Sequence, residues 1–515
     1  MTAIVAGKAD SGLLFGHPKG LYVLSLTETW ERFSYYGMRA LLVLYLTRRF
    51  LIADSQSFAI YGAYTALVYI SPLLGGAIAD RFFGYNKSVL LGACLMIVGH
   101  FGLAFQDFYY AHGAAVDDAR GLQVFYVSIA FLITGVGFLK GNISTMVGNL
   151  YPRDSQLRDS GFIIFFWGVN IGATLAAFTC GYVGEKYGWE YGFGLAGLGM
   201  CAGLATFLLG QPYLKNADRP PTQPVWRIAG RRLPNWLLPL VGILITLPLS
   251  WGLMQLPGVT GDIVYLSVAA AFAWAIIYAL RNLDSNERER MWCAFIVWAI
   301  WACYAALIEQ TGSSLNLFTE RLVDRHVGPG AGMEIQASQF QGLTTLFILL
   351  LSPLFAWTWS LLDRRGRNPT TPAKLSLAIL ALAAGFGFLM LGTALPDSGG
   401  RVGLIWLVLN YLCFSVAAII IQPIGLSAYT RLSPTPIVGF MVGLWMLAVA
   451  IGSFLAAQIA KLSALDKAVQ QAMPAAALLA HYQKFFATLA LSAILLGLVF
   501  FALTPLMRRW MHGMR

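Results

Sequence analysis

Apolar residues run through this chain in long blocks separated by short polar segments, without the strict two-residue alternation of half-buried strands. A helix needs about 20 mostly apolar residues to cross the hydrocarbon core of a bilayer. Fourteen blocks meet that ruler, centred near residues 35, 68, 97, 134, 170, 201, 241, 272, 300, 349, 383, 413, 447 and 495, those near 241 and 272 being the least regular. Two polar stretches break the rhythm. LKNADRPPTQPVWRIAGRRLPN follows the sixth block, and the highly charged RNLDSNERERM precedes the ninth. They bracket a pair of spans that reads as an insertion, and removing the pair leaves six spans on each side. The pattern predicts an all-α membrane protein with 14 transmembrane helices: a six-helix bundle over residues 1–212, linkers carrying two inserted helices over 213–286, and a second six-helix bundle over 287–515.

Composition agrees. Hydrophobic residues make up 58% and charged residues 11%, with mean hydropathy +0.66, whereas a soluble domain carries roughly 25% charge. The net charge of +11 does not point to nucleic acid, because the basic residues are spread between apolar blocks rather than gathered in one patch. They set orientation instead. With the N-terminus in the cytoplasm, cytoplasmic tails and loops hold roughly twice the Lys and Arg of the opposite loops. Both termini are therefore expected on the cytoplasmic side of the cell (inner) membrane. The N-terminal MTAIVAGKADSGLLFGHPKG lacks the features of a signal peptide and reads as a short cytoplasmic tail. Cys94, Cys180, Cys201, Cys293, Cys303 and Cys413 all fall inside apolar blocks without metal-ligand spacing, so they read as small buried hydrophobes.

The informative residues are charges that a bilayer excludes. A charge at the centre of a span costs at least about 2.5–3.5 kcal/mol. Six lie deep in apolar blocks: Glu28, Glu31, Arg32 and Arg39 in the first, Lys140 in the fourth and Glu309 in the ninth. At about 100° per residue, Glu28, Glu31, Arg32, Tyr35, Tyr36 and Arg39 share an arc of about 140°. That face must look into protein or a wet cavity. Four charges within so short a stretch are costly as mere glue between helices. No block shows zinc-ligand histidines, a serine–lysine pair or paired aspartates at metal spacing, which argues against an enzyme, and no sizeable soluble domain exists to carry a receptor signal. His100, alone in an apolar stretch, reads as a packed, hydrogen-bonded ring rather than a proton relay.

Local motifs then carry a resemblance. GGAIADRFFGYNKSVLLG, with Gly75, Asp80, Arg81, Gly84 and Lys87, resembles the signature loop of the major facilitator superfamily, whose two six-helix halves rock about a central site. ETWERFSYYGMR resembles the first-helix signature of the proton-dependent oligopeptide transporters of that superfamily. FLKGNISTMVG, FFWGVNIGA, IEQTGSSLNLF, QPIGLSAYTRLSP and MVGLWM resemble their later helices in the same order. Bacterial members of that family also typically add two helices between the halves.

The resemblance implies a proton-coupled symporter that imports di- and tripeptides by alternating access, with protons as the coupling ion, no other cofactor, and a functional monomer in the bilayer. It assigns proton coupling to Glu28, Glu31, Arg32 and Glu309, and capture of the peptide carboxylate to Arg32 and Lys140. Tyr36, Tyr69 and Asn170 match pocket positions, and Arg39, counted with them among the substrate-binding residues, also matches with Glu309 a gate pair that opens when Glu309 is protonated. The chain also departs from the pattern. Ala418 stands where a glutamate usually holds the peptide amino group, Ala305 replaces a pocket tryptophan, Thr344 replaces an asparagine, and Gly141 rather than proline follows Lys140. Gln341, Gln422 and Ser427 are the candidates left to hydrogen-bond an ammonium group. A carrier of another small organic anion or peptide-like compound is the alternative these departures leave open.

Overall fold

The structure, a computed structural model, describes residues 13–512 apart from 113–117, 153, 154, 156, 216, 219–225, 229, 230, 234, 235 and 329–331. The N-terminal tail up to residue 12 and much of the proline- and arginine-rich segment lie outside the described residues. Fourteen long helices follow in order. They are α1 (Lys19–Arg48), α2 (Asp54–Ile78), α3 (Tyr85–His112), α4 (Asp118–Asn149), α5 (Leu157–Ala176), α6 (Trp189–Leu209) and α7 (Leu237–Gln255). Then come α8 (Pro257–Asn282), α9 (Ser285–Ile308), α10 (Gln341–Arg364), α11 (Thr371–Ala394), α12 (Leu404–Leu432), α13 (Val438–Ala460) and α14 (Ala475–Ala502). Among the described residues, 13 are long and apolar enough to cross a membrane. The exception is α1, whose 30 residues suffice in length but carry the four charges read above.

The charged stretch before the ninth span is not a loop. α8 runs to Asn282 and α9 starts at Ser285, because the Asp284 carboxylate accepts a hydrogen bond from the Glu287 N–H at 2.7 Å and starts the new helix. Its charges ride on helix ends. Past Ile308, α9 tightens into a single 3₁₀ turn at Glu309–Gly312 and resumes as Ser314–Leu322. A π turn at Ala79–Phe83 ends α2, and Gly84 follows at φ +87°, a conformation suited to glycine.

The chain forms two compact units that cut across the sequence division. The first comprises Met1–Met38, Ser71–Ala176 and Glu190–Trp251. Here small residues let backbones touch: a Cβ at Gly75 of α2 would overlap the carbonyl oxygen of Gly137 in α4, and one at Gly172 of α5 would overlap that of Thr29 in α1. The first contact gives the signature-loop glycine its steric reason. α7 lies against Ile78 and Phe138 through Gly242 and exposes Leu240, Leu244, Ile245 and Leu249, an apolar face suited to lipid.

The second unit comprises Arg39–Ile70, Ala177–Trp189 and Gly252–Arg515. Its core includes Phe318, Phe386, Phe414, Tyr482 and Phe486, and the Trp298 indole N–H donates to the Leu444 carbonyl at 2.7 Å. α8 packs through Val264 on Ala450 and Phe454 of α13. All six cysteines are free, but Cys94 is exposed rather than buried. Its place in the apolar α3 span is one that a small, weakly polar thiol occupies at little cost.

Candidate functional site

Two charged constellations emerge, one in each unit. In the first, Glu28, Glu31 and Arg32 share the inward arc of α1 and are nearly inaccessible. Arg32 Nε lies 2.9 Å from Glu28 Oε1 and 2.5 Å from Glu31 Oε2, so one guanidinium meets two carboxylates. Gly172 brings α5 against α1 beside Arg32. The Tyr35 ring lies close to two cations: its centroid is 5.5 Å from Arg32 Cζ and 5.8 Å from Lys140 Nζ of α4. Tyr36 packs edge-on against Tyr35 with ring centroids 5.1 Å apart. The two carboxylates balance the two cations, so the buried cluster is formally neutral. A carboxylate ligand entering such a site would meet a guanidinium fork and an ammonium together. Tyr35, absent from the residues assigned by motif, is the centre of this arrangement, and its place on the charged arc is the signal that marks it.

In the second unit, Arg39 and Glu309 form a cross-helix ion pair, Nη2 to Oε2 at 2.6 Å. The pair is part of a ring: Arg39 Nε donates to the Tyr61 hydroxyl at 2.7 Å, and that hydroxyl donates to Glu309 Oε2 at 2.9 Å. Gly312, in the 3₁₀ turn, leaves room for the Tyr61 hydroxyl, since a Cβ there would overlap it. Further toward the end opposite the termini the linkage continues. Arg321 grips Asp54 through two bonds of 2.6 and 2.9 Å, and Arg48 meets Glu320 at 2.5 Å and Glu185 at 3.4 Å. Motif reading named Arg39 and Glu309 but missed Tyr61, Asp54, Arg321, Arg48, Glu185 and Glu320. These pairs join segments far apart in the chain, and no local spacing announces them.

The remaining candidates are scattered. Asn170 is buried in α5, where its amide donates to the Phe166 carbonyl of its own helix at 2.9 Å. Tyr69 packs on the Ala66, Val264, Ala450 and Phe454 cluster. Gln341 donates to the Ala40 carbonyl at 3.3 Å, next to the Arg39 ring, and Asn316 donates to the same oxygen at 3.0 Å. Gln422 reaches the Tyr304 hydroxyl at 3.5 Å, and Tyr304, Trp301 and Trp445 form a stack of parallel rings at centroid spacings of 5.1 and 4.9 Å. Ser427 is not on that surface. Five residues on from Gln422, it is turned about 140° around α12 and lines a cavity with Lys374 and Arg431. Ala418 is buried in the apolar core, and Ala305 faces Gly452 in a close α9–α13 contact that a larger side chain would disrupt. His100 makes the packed hydrogen bond expected of it, to Ser34 Oγ at 2.6 Å.

Among the described residues, no group of three His, Cys, Asp or Glu side chains is placed to hold a metal ion.

Comparisons with known proteins bear directly on this arrangement. The sequence model of the POT family matches residues 86–476, more than half of the chain. The uncharacterized transporter YclF of Bacillus subtilis is 32% identical over 97% of this chain and 96% of its own. The peptide transporter YePEPT of Yersinia enterocolitica is 32% identical over 86% of this chain and 88% of its own. A di-/tripeptide transporter of Lactococcus lactis subsp. cremoris is also 32% identical, over 86% and 89%. Among solved structures, a mutant of peptide transporter POT in complex with alafosfalin superimposes with a TM-score of 0.81 at 31% identity, covering 97% of both chains. The 14-helix pattern is therefore that of a multi-pass membrane protein with the major facilitator fold, and the chain belongs to the POT family of transporters.

Proposed function

We propose that this protein is a proton-coupled symporter that imports di- and tripeptides across the inner membrane by alternating access, as a monomer with both termini in the cytoplasm and protons as its only coupling ion. The observation that carries this reading is the buried cluster in which Arg32 is shared by Glu28 and Glu31 while Arg32 and Lys140 both approach the Tyr35 ring. A peptide carboxylate recruited by Arg32 and Lys140 competes with the two glutamates for the guanidinium. A buried carboxylate that loses its cationic partner takes up a proton, so substrate and proton enter together. The Arg39–Tyr61–Glu309 ring serves as a gate that opens when Glu309 is protonated and the ion pair breaks. Relatives described as peptide transporters support the choice of substrate.

The test is uptake of labelled di- and tripeptides into proteoliposomes with and without an inward proton gradient. Accumulation above equilibrium that collapses with a protonophore is expected. Uptake indifferent to the gradient refutes coupling.

A second reading has a specific observation behind it. With Ala418 buried in an apolar core, the usual acidic anchor for a peptide amino group is missing, which suits a small organic anion or a peptide-like compound without a free amine. Competition by N-acylated dipeptides as strong as that by free dipeptides would favour this reading.

A further inference from the structure

A cavity of about 260 Å³ opens in the second unit where α11 begins, where α12 ends and where Met511 follows the last short helix, Thr504–Trp510. These are chain-terminal-side ends of spans, so the cavity lies at the membrane–water boundary. Trp359 marks the same level, an interfacial position that tryptophan favours, and Lys374 Nζ lies over its ring at 4.3 Å. The lining sorts by depth. Arg431 and Thr371 stand at the mouth and Lys374 and Ser427 about one turn further in, while apolar Pro423 lies about 13 Å along α12 from Leu432. Two cations and two hydroxyls line it and no acid does.

The surroundings extend the sign. Arg364 at the end of α10 and Arg365 and Arg367 in the turn leading to α11 are exposed, against a single acid there, Asp363; Arg508 and Arg509 are exposed on the final helix, and beside Met511 the Glu289 carboxylate is paired with His512 at 2.8 Å. Polar and cationic at the rim, apolar below: that order matches a phospholipid standing in its leaflet, phosphate at the interface and chains beneath.

The geometry points to a binding site for the headgroup of an anionic glycerophospholipid of the phosphatidylglycerol type, its phosphate between Lys374 and Arg431 and a chain along Pro423 and Ile424. Basic pockets between transmembrane helices attract anionic headgroups in this way. Lys374 supplies a point charge and Arg431 a fork that fits phosphate oxygens, while Thr371 and Ser427 donate hydroxyl hydrogens. Bound there, the lipid ties the start of α11 to the end of α12 and to the C-terminal helix.

Native mass spectrometry of delipidated full-length protein in detergent tests this, with phosphatidylglycerol, phosphatidylcholine and inorganic phosphate as separate additions. Phosphatidylglycerol should be retained in preference to phosphatidylcholine and should survive excess phosphate. Lys374→Gln should weaken retention about fivefold, and Lys374→Arg should preserve it. Should Lys374→Gln not fold, Thr371→Val carries the same test through loss of a phosphate hydrogen bond. Equal retention of phosphatidylcholine, or a lipid indifferent to these substitutions, overturns the assignment. So does displacement by inorganic phosphate, which would make the site one for a soluble anion.

Discussion

Replacing Tyr61 by phenylalanine probes the Arg39–Tyr61–Glu309 ring without emptying the space the side chain fills. The substitution removes one hydrogen bond donated to Glu309, at 2.9 Å, and one accepted from Arg39, at 2.7 Å, and leaves the direct ion pair at 2.6 Å in place. Hydrogen bonds to charged groups contribute about 1.5–3 kcal/mol each, net of water. Taking the lower figure for both, the closed ring loses about 3 kcal/mol, roughly a hundredfold in the equilibrium between joined and parted helices. Hydrogen–deuterium exchange of the segments around Tyr61 and Glu309–Gly312 measures that equilibrium directly. Exchange there should accelerate by about that factor, while peptides in the α11–α14 core stay unchanged. Exchange within about threefold of the parent, in a folded variant, would show that the phenol contributes nothing to closure and that the ring is no latch. The factor itself follows from the two lost bonds.

Other expectations follow from the same contacts. Glu31→Gln removes a carboxylate from Arg32 that can carry a proton, so uphill, gradient-driven peptide uptake should be lost while substrate exchange persists; undiminished accumulation would exclude Glu31 from coupling. Asp54→Asn breaks a mostly buried, two-bond grip on Arg321 and should cost about 3–5 kcal/mol, read as a lower unfolding temperature in detergent; an unchanged unfolding temperature would contradict the grip. Gly75→Leu drives a side chain into the Gly137 backbone; forcing α2 and α4 apart should destabilise by about 1–3 kcal/mol or more, and unchanged thermal stability would contradict the packing. Beyond the membrane-spanning part of α9, the His326 ring, and then the His326 backbone N–H, hydrogen-bond Asp324 and hold its carboxyl below the ordinary 3.8. A depressed acid stabilises the native loop above that ordinary value and loses its contribution as pH falls through the lowered one. His326→Ala removes the ring but keeps the backbone N–H, so it should raise the Asp324 titration, followed by NMR, part of the way toward the usual range.

Much of this protein is determined by its sequence alone, because a bilayer imposes a simple rule: backbone groups must be satisfied inside the span, and only long apolar helices do that without help. Fourteen apolar blocks therefore became fourteen helices. Charges that survive in such blocks must face inward, so the angular arithmetic of α1 already placed Glu28, Glu31 and Arg32 together. Motif order extended this to Lys140, Arg39 and Glu309. Local propensity at RNLDSNERERM misled, since a single capping aspartate turned a supposed loop into two helix ends. What the tertiary structure decided are meetings between residues remote in the chain. Tyr61 closes the Arg39–Glu309 ring, Arg321 finds Asp54, and Tyr35 meets Lys140. Ser427 turned away from Gln422 into a cleft it shares with Lys374 and Arg431. Periodicity specifies which face of a helix is polar, but the neighbour that face meets depends on how the helices pack.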